Sequence, residues 1–214
     1  MRLVRLPVGI LGKEQGTRRR RSRPRHQRIA HVKPLSLAVS RAHAIMSANE
    51  KARSHPMSAY EFEFRTIKGE ALPLSRFSGK PILIVNTASR CGFTPQYREL
   101  EGLWERYRAR GLTIIGVPSN DFGAQEPGTE EEIVEFCEVN YSITFPLTAK
   151  QQVVGAEAHP FYLWVSEVAG EDARPRWNFH KYLVGPDGAL AGIYPSKVSP
   201  LDKILVDEIE RLLA

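Results

Sequence analysis

From Tyr60 onward the chain falls into segments of regular apolar spacing. Phe62, Phe64 and Thr66/Ile67 alternate over a short stretch that predicts a strand, closed by a Lys68-Gly69 turn. Pro81 introduces Ile82-Leu83-Ile84-Val85, a continuous apolar run of the kind that a central strand buried on both faces requires. Thr94-Pro95 then predicts a helix start, with the threonine hydroxyl as cap and proline at the first helical position. Tyr97, Leu100, Leu103, Trp104 and Tyr107 share one helical face, and Gly111 marks the end. Leu112–Val117 is the next strand, so a right-handed parallel crossover is expected.

The second half continues in the same way. Thr129-Glu130-Glu131-Glu132 reads as a capping box opening a helix whose buried stripe is Ile133, Phe136, Cys137 and Tyr141. A short strand near Phe145 and a helix across Phe161, Trp164, Val165 and Val168 follow. A hairpin then joins Trp177–Val184 to Ala189–Tyr194 through Gly185-Pro186-Asp187-Gly188. Ser199-Pro200-Leu201-Asp202 begins a last amphipathic helix carrying Leu201, Ile204, Leu205, Ile209 and Leu212. Alternating strands and helices followed by a hairpin predict an α/β domain of thioredoxin-like fold, a central mixed β-sheet flanked by helices on both faces. Sites in such open sheets lie beyond the carboxyl ends of strands, which is where Cys91 falls after Val85.

Charge divides the 214 residues in two. Residues 1–57 hold 14 of the 30 Lys+Arg against Glu14 and Glu50, a net +12, while 58–214 carry 16 cations against 22 acids, a net −6. The pI of 9.4 therefore belongs to a basic leader and not to the domain, which is not expected to bind nucleic acid. The leader places Arg18-Arg19-Arg20-Arg21 ahead of a weakly apolar stretch, Pro34–Val39, a layout shared with targeting segments. His31, Lys33 and Arg41 crowd that stretch, so a disordered leader on a cytoplasmic protein is expected. A translated upstream region is the alternative, because Met46 and Met57 both stand at plausible starts.

Cys91 and Cys137 are the only cysteines, too few for a disulfide-stapled scaffold or a four-cysteine zinc site. His159 and His180 lack metal-ligand spacing, phosphate-cradling glycine motifs are missing, and no cofactor is expected. Redox chemistry remains. Attack on an O–O bond needs a thiolate, and a free cysteine with a pKa of ~8.5 is mostly protonated at neutral pH. A position just before a helix N-terminus favours the anion, and neutral N–H donors from indole or carboxamide groups add to this. Disulfide reductases use Cys-x-x-Cys, whereas the run here is Cys91-Gly92-Phe93-Thr94. A peroxidase needs one attacking thiolate, which becomes a sulfenic acid that a second thiol resolves.

Asn86-Thr87-Ala88-Ser89-Arg90-Cys91-Gly92-Phe93-Thr94-Pro95-Gln96-Tyr97 resembles the peroxidatic signature of glutathione peroxidases. Pro118–Gly128 resembles the second block of that family and Trp177-Asn178-Phe179 its third, in the expected order, and the similarity runs from about Tyr60 to the C-terminus. The resemblance implies Cys91 as the attacking residue, with Gln125, Trp177 and Asn178 completing a tetrad that polarises thiolate and peroxide. All three partners carry N–H donors and no negative charge. It also implies the cysteine-type branch, re-reduced by thioredoxin or glutathione, and Cys137 as the resolving thiol. Its place on an apolar stripe reads equally as a buried core thiol, and a disulfide to Cys91 would then require its helix to unwind.

The short connection Glu167–Arg176 lacks the insertion that builds tetramers in some members of the family, so a monomer is expected. Two other readings use the same thiolate: a redox sensor that passes oxidation to a partner protein, and a peroxiredoxin-like peroxidase. The proline and Thr/Ser spacing of peroxiredoxins is not found ahead of Cys91. An inert binding domain with buried cysteines is the remaining alternative.

Overall fold

The computed structural model describes residues 58–214. The basic leader lies outside the described residues. The first of the described elements is a 3-10 turn at Ala59–Glu61, opened by a capping box between Ser58 and Glu61. Strands β1 (Glu63–Arg65) and β2 (Ala71–Pro73) form a small antiparallel sheet of their own. The expected alternation is there, with Phe64 buried between exposed Glu63 and Arg65, but the strand ends before Thr66. Thr66 instead accepts Gly69 N–H to close the turn.

Every residue of β3 (Ile82–Thr87) is buried, as a central strand demands. It is followed by α1 (Gln96–Tyr107), a closing 3-10 turn, and Gly111 at φ +115°, where an L side chain would be strained. Next come β4 (Thr113–Pro118), α2 (Glu130–Tyr141), α3 (Pro160–Ala169), β5 (Lys181–Val184), β6 (Leu190–Tyr194) and α4 (Lys203–Leu212). The main sheet has the order β4-β3-β5-β6. β3 and β4 are parallel, with Ile82 opposite Thr113, and β5 runs antiparallel to β3, with Ile82 opposite Val184.

Strand alternation sorts the core into two layers. Leu83, Val85 and Ile114 pack with Tyr97, Leu100 and Leu103 of α1, Ile133 and Cys137 of α2, and Leu205 and Ile209 of α4. Ile82, Ile84, Ile115 and Val117 pack with Phe161, Trp164 and Val165 of α3. The sheet is therefore mixed and covered on both faces, as expected.

Three further details differ from expectation. No strand forms at Phe145; Gly116 and Leu147, and Thr66 and Thr148, make isolated bridges. Pro146 has no N–H to extend a ladder, and the approach is so close that a Cβ on Gly116 would stand 2.6 Å from Leu147 Cδ2. The final hairpin begins at Lys181, because Phe179 adopts φ +64° and takes Trp177–His180 out of the strand. Helix α4 starts later than Leu201, capped by Asp202, whose side chain accepts Ile204 N–H. Leu201 and Ile204 are exposed.

At the hairpin tip, Ala59 N–H donates to the Gly188 carbonyl at 2.9 Å and the Tyr60 hydroxyl to the Pro186 carbonyl at 2.7 Å. A Cβ on Gly188 would stand 2.0 Å from Ser58 Oγ. Only glycine permits this contact between the start of the domain and the hairpin.

Candidate active site

The segment between β3 and α1 carries Cys91, which is buried at 8% exposure. Thr94 does not cap α1, which begins at Gln96 after Pro95 with no side-chain cap. The Thr94 hydroxyl turns inward, accepting Cys91 N–H at 3.0 Å and donating to the Ala88 carbonyl at 2.8 Å. With Thr94 N–H on the Cys91 carbonyl at 3.0 Å, Thr94 pins the cysteine loop through both its side chain and its backbone. The N–H directed at the sulfur is that of Phe93, at 3.4 Å from Sγ. It belongs to the turn and not to the first turn of the helix.

The loop after β4 carries Gln125. Its carbonyl accepts Arg90 N–H at 3.0 Å, and its side-chain oxygen accepts Asn178 Nδ2 at 3.0 Å. With Oε1 occupied, the Gln125 amide nitrogen is left to donate elsewhere. Gly123, at φ +65°, lies between two of the expected residues: a Cβ there would be 3.6 Å from both Gln125 Nε2 and Trp177 Cη2. Trp177 is 39% exposed and packs on Phe122 with ring centroids 5.8 Å apart, whereas Asn178 is fully buried.

Beside this loop a cavity of about 380 Å³ opens between Ser89, Arg90 and Glu126 on one side and Phe136 and Val139 of α2 on the other. Burial raises the Glu126 carboxyl above its ordinary range, opposed by the neighbouring Ser89, Lys150 and Arg90. Cys137 is fully buried in α2, and neither cysteine is in a disulfide. Burial pushes its thiol up to about 11, with the Tyr97 hydroxyl alongside pulling down and the Glu126 and Glu138 carboxylates adding to the rise. Of the expected stripe on α2, Ile133 and Cys137 are buried while Phe136 and Tyr141 are half-buried.

Comparison with known proteins gives this arrangement its family. The sequence model described as glutathione peroxidase matches residues 59–166. The chain belongs to the glutathione peroxidase family. A glutathione peroxidase homolog, BsaA of Bacillus subtilis, is 45% identical over 161 residues, covering 73% of this chain and 99% of that protein. The glutathione peroxidase-like peroxiredoxin HYR1 of Saccharomyces cerevisiae is 46% identical over 149 residues, covering 68% of this chain and 90% of that protein. The crystal structure of T. cruzi GPX1 superposes with a TM-score of 0.59 at 28% identity, over 73% of this chain and 97% of that one. The thioredoxin-like fold expected from the order of elements is thus that of the glutathione peroxidase family.

Sequence reasoning gave Asn86 and Lys181 no role. Asn86 is fully buried at the end of β3, and its neighbours in space come from residues 177–180. Lys181 is also fully buried and donates from Nζ to the Phe179 carbonyl at 2.8 Å. A polar residue ending an all-apolar strand run, and a lysine inside an apolar strand, were the available signals, since a buried polar group must find partners. The domain histidines serve packing and capping. His159 stacks on Phe64 with centroids 3.9 Å apart and accepts Phe161 N–H at the start of α3, and His180 packs against Tyr182 at 5.0 Å.

Proposed function

We propose that this protein is a thiol peroxidase that reduces hydrogen peroxide and organic hydroperoxides through Cys91, with Gln125, Trp177 and Asn178 as the donors around the reacting sulfur. The Cys91 thiolate attacks the terminal peroxide oxygen, the O–O bond breaks, and the departing alkoxide takes up a proton. The products are Cys91 sulfenic acid and an alcohol, or water when the substrate is hydrogen peroxide. N–H donors aimed at the sulfur and the leaving oxygen stabilise charge where it stands and where it develops.

The Cys137 thiol then displaces hydroxide from the sulfenic sulfur, giving a Cys91–Cys137 disulfide and water, and an external dithiol of the thioredoxin type returns both cysteines to thiols. Cys137 is fully buried within α2, so α2 opens around it to expose the thiol to the sulfenic sulfur before this step. The kinship with a yeast glutathione peroxidase-like peroxiredoxin and the presence of a second cysteine support thioredoxin over glutathione as reductant. The enzyme acts as a monomer in this reading.

The observation that carries the proposal is the amide pair of Asn178 and Gln125, with Gln125 bonded in turn to the residue beside Cys91. It is tested by following peroxide consumption in parallel with thioredoxin and with glutathione, for wild type and Cys91→Ser. Turnover with either reductant that disappears in Cys91→Ser is expected, and equal activity of the two proteins would sink the assignment.

A further inference from the structure

We infer that Asn86 is a positioning residue for peroxide reduction, its carboxamide fixing where Trp177 and Asn178 stand relative to the strand that leads into Cys91. The inference rests on the peroxidase reading above and adds a residue to it.

The β3–β5 ladder runs from Ile82 opposite Val184 to Val85 opposite Lys181. One residue further, the regular ladder cannot continue, because Phe179 is in the left-handed region at φ +64°. Asn86 bridges the break with both its backbone and its side chain. Its carbonyl accepts Phe179 N–H at 2.6 Å and its N–H donates to the His180 carbonyl at 3.3 Å. Its Nδ2 donates to the Trp177 carbonyl at 3.1 Å, and its Oδ1 accepts His180 N–H at 3.1 Å.

The last two contacts settle what the side chain must be. One faces a carbonyl and the other an N–H, so the group needs a donor and an acceptor held a fixed distance apart, and only one orientation of the amide satisfies both. Aspartate has the size but would set an oxygen against the Trp177 carbonyl. Leucine has the shape and neither function. Asn86, Asn178 and Phe179 are fully buried and His180 nearly so, so no bulk water replaces a lost partner.

From Asn86 the bonds run through the Trp177 carbonyl to Asn178, from Asn178 Nδ2 to Gln125, and from the Gln125 carbonyl to Arg90 N–H. They leave the chain just ahead of the cysteine loop and rejoin it next to Cys91. Phe179, whose strained backbone starts the detour, is held a second time by Lys181 Nζ. Held backbone strain of this kind persists where surrounding contacts over-determine it, and here they set the direction of the preceding two residues. Asn86 itself is not placed against substrate; it acts through Trp177 and Asn178.

The test measures two rate constants in Asn86→Leu and Asn86→Asp: Cys91 oxidation by hydrogen peroxide, by stopped flow, and re-reduction of the oxidised enzyme by thioredoxin. Displacement of reacting groups by about 1 Å costs on the order of 10²-fold. Oxidation is therefore expected to fall roughly 10- to 100-fold, while re-reduction stays within about twofold. A role in stability alone would lower both together. The same Asn86→Leu change is then made in a Trp177→Phe, Asn178→Ala background, where it should cost little more, because residues acting as a unit are not additive.

Equal loss in both half-reactions, full additivity, or unchanged oxidation overturns the inference. So does failure of both Asn86 variants to fold, by circular dichroism, since Asn86→Asp keeps the size and the acceptor for His180. If the Trp177→Phe, Asn178→Ala protein itself oxidises at the wild-type rate, the peroxidase reading of those two residues has failed, and this inference falls with it.

Discussion

The backbone carbonyl of Gln125 accepts Arg90 N–H at 3.0 Å, so the loop after β4 hangs on the residue beside Cys91 through its main chain. Replacing the Gln125 side chain leaves this bond intact. Gln125→Leu is expected to slow peroxide-dependent oxidation of Cys91 by roughly 10²-fold, the cost of one preorganised donor, and to lower the melting temperature as well, because the buried Asn178 Nδ2 loses its acceptor at a cost of about 1–3 kcal/mol. Stopped-flow kinetics and a thermal melt make the comparison, and an unchanged oxidation rate would remove Gln125 from the chemistry.

Thr94 is a brace and not a helix cap. Thr94→Val keeps the shape of the side chain but leaves Cys91 N–H and the Ala88 carbonyl without the hydroxyl that joins them. Unsatisfied buried groups cost about 1–3 kcal/mol each, so chemical denaturation should show a loss of that order. Thr94→Ser, which retains the hydroxyl, should recover most of it. Equal loss in both variants would show that packing of the methyl group is what matters.

Cys137 presents a thiol pushed up to about 11 by burial, so in the native reduced protein it is expected to resist alkylation at pH 8. After peroxide treatment, peptide mapping should find a Cys91–Cys137 disulfide, accompanied by loss of helical ellipticity as α2 opens. Cys137→Ser should keep single-turnover oxidation of Cys91 and lose turnover with thioredoxin. Finding only sulfenic or glutathionylated Cys91 in the oxidised wild type would exclude the internal resolver.

Lys181 is buried in β5, and burial lowers its ammonium from 10.5 to about 7, with the Glu99 carboxylate pulling in the opposite direction. Between about pH 7 and 10.5 the unfolded chain holds a proton that the native protein has released. Native stability therefore rises with pH through that window, and the full burial cost is present below it. Lys181→Met lacks this dependence, so the variant's melting temperature relative to wild type should fall as the pH goes from 6 to 9. A difference that stays constant would mean that Lys181 titrates normally in the folded protein.

The elements legible in the sequence were those whose causes are local. The apolar run Ile82–Val85 needs burial on both faces wherever it sits, and Thr129 and Glu132 form their capping box from four consecutive residues. The conformation at Phe179 was not legible. Nothing in Trp177-Asn178-Phe179 asks for a positive φ, and a bulky aromatic disfavours it. It is imposed by Asn86 and Lys181 through hydrogen bonds that form only once β3 and β5 have paired. The expected site residues came from motif resemblance, which names residue types but not contacts. The Asn178–Gln125 amide pair spans 53 positions and became visible only in three dimensions.

The clasp between Ser58, Tyr60 and Gly188 has a practical side. It sits at the hairpin tip after Val184, and Val184 is paired with Ile82, the first residue of β3, whereas Cys91 follows the last. A tether fixed at Ser58 therefore departs from the end of the sheet remote from the thiol. Immobilising the domain through that residue on a sensor chip should leave its reactive end facing the flow.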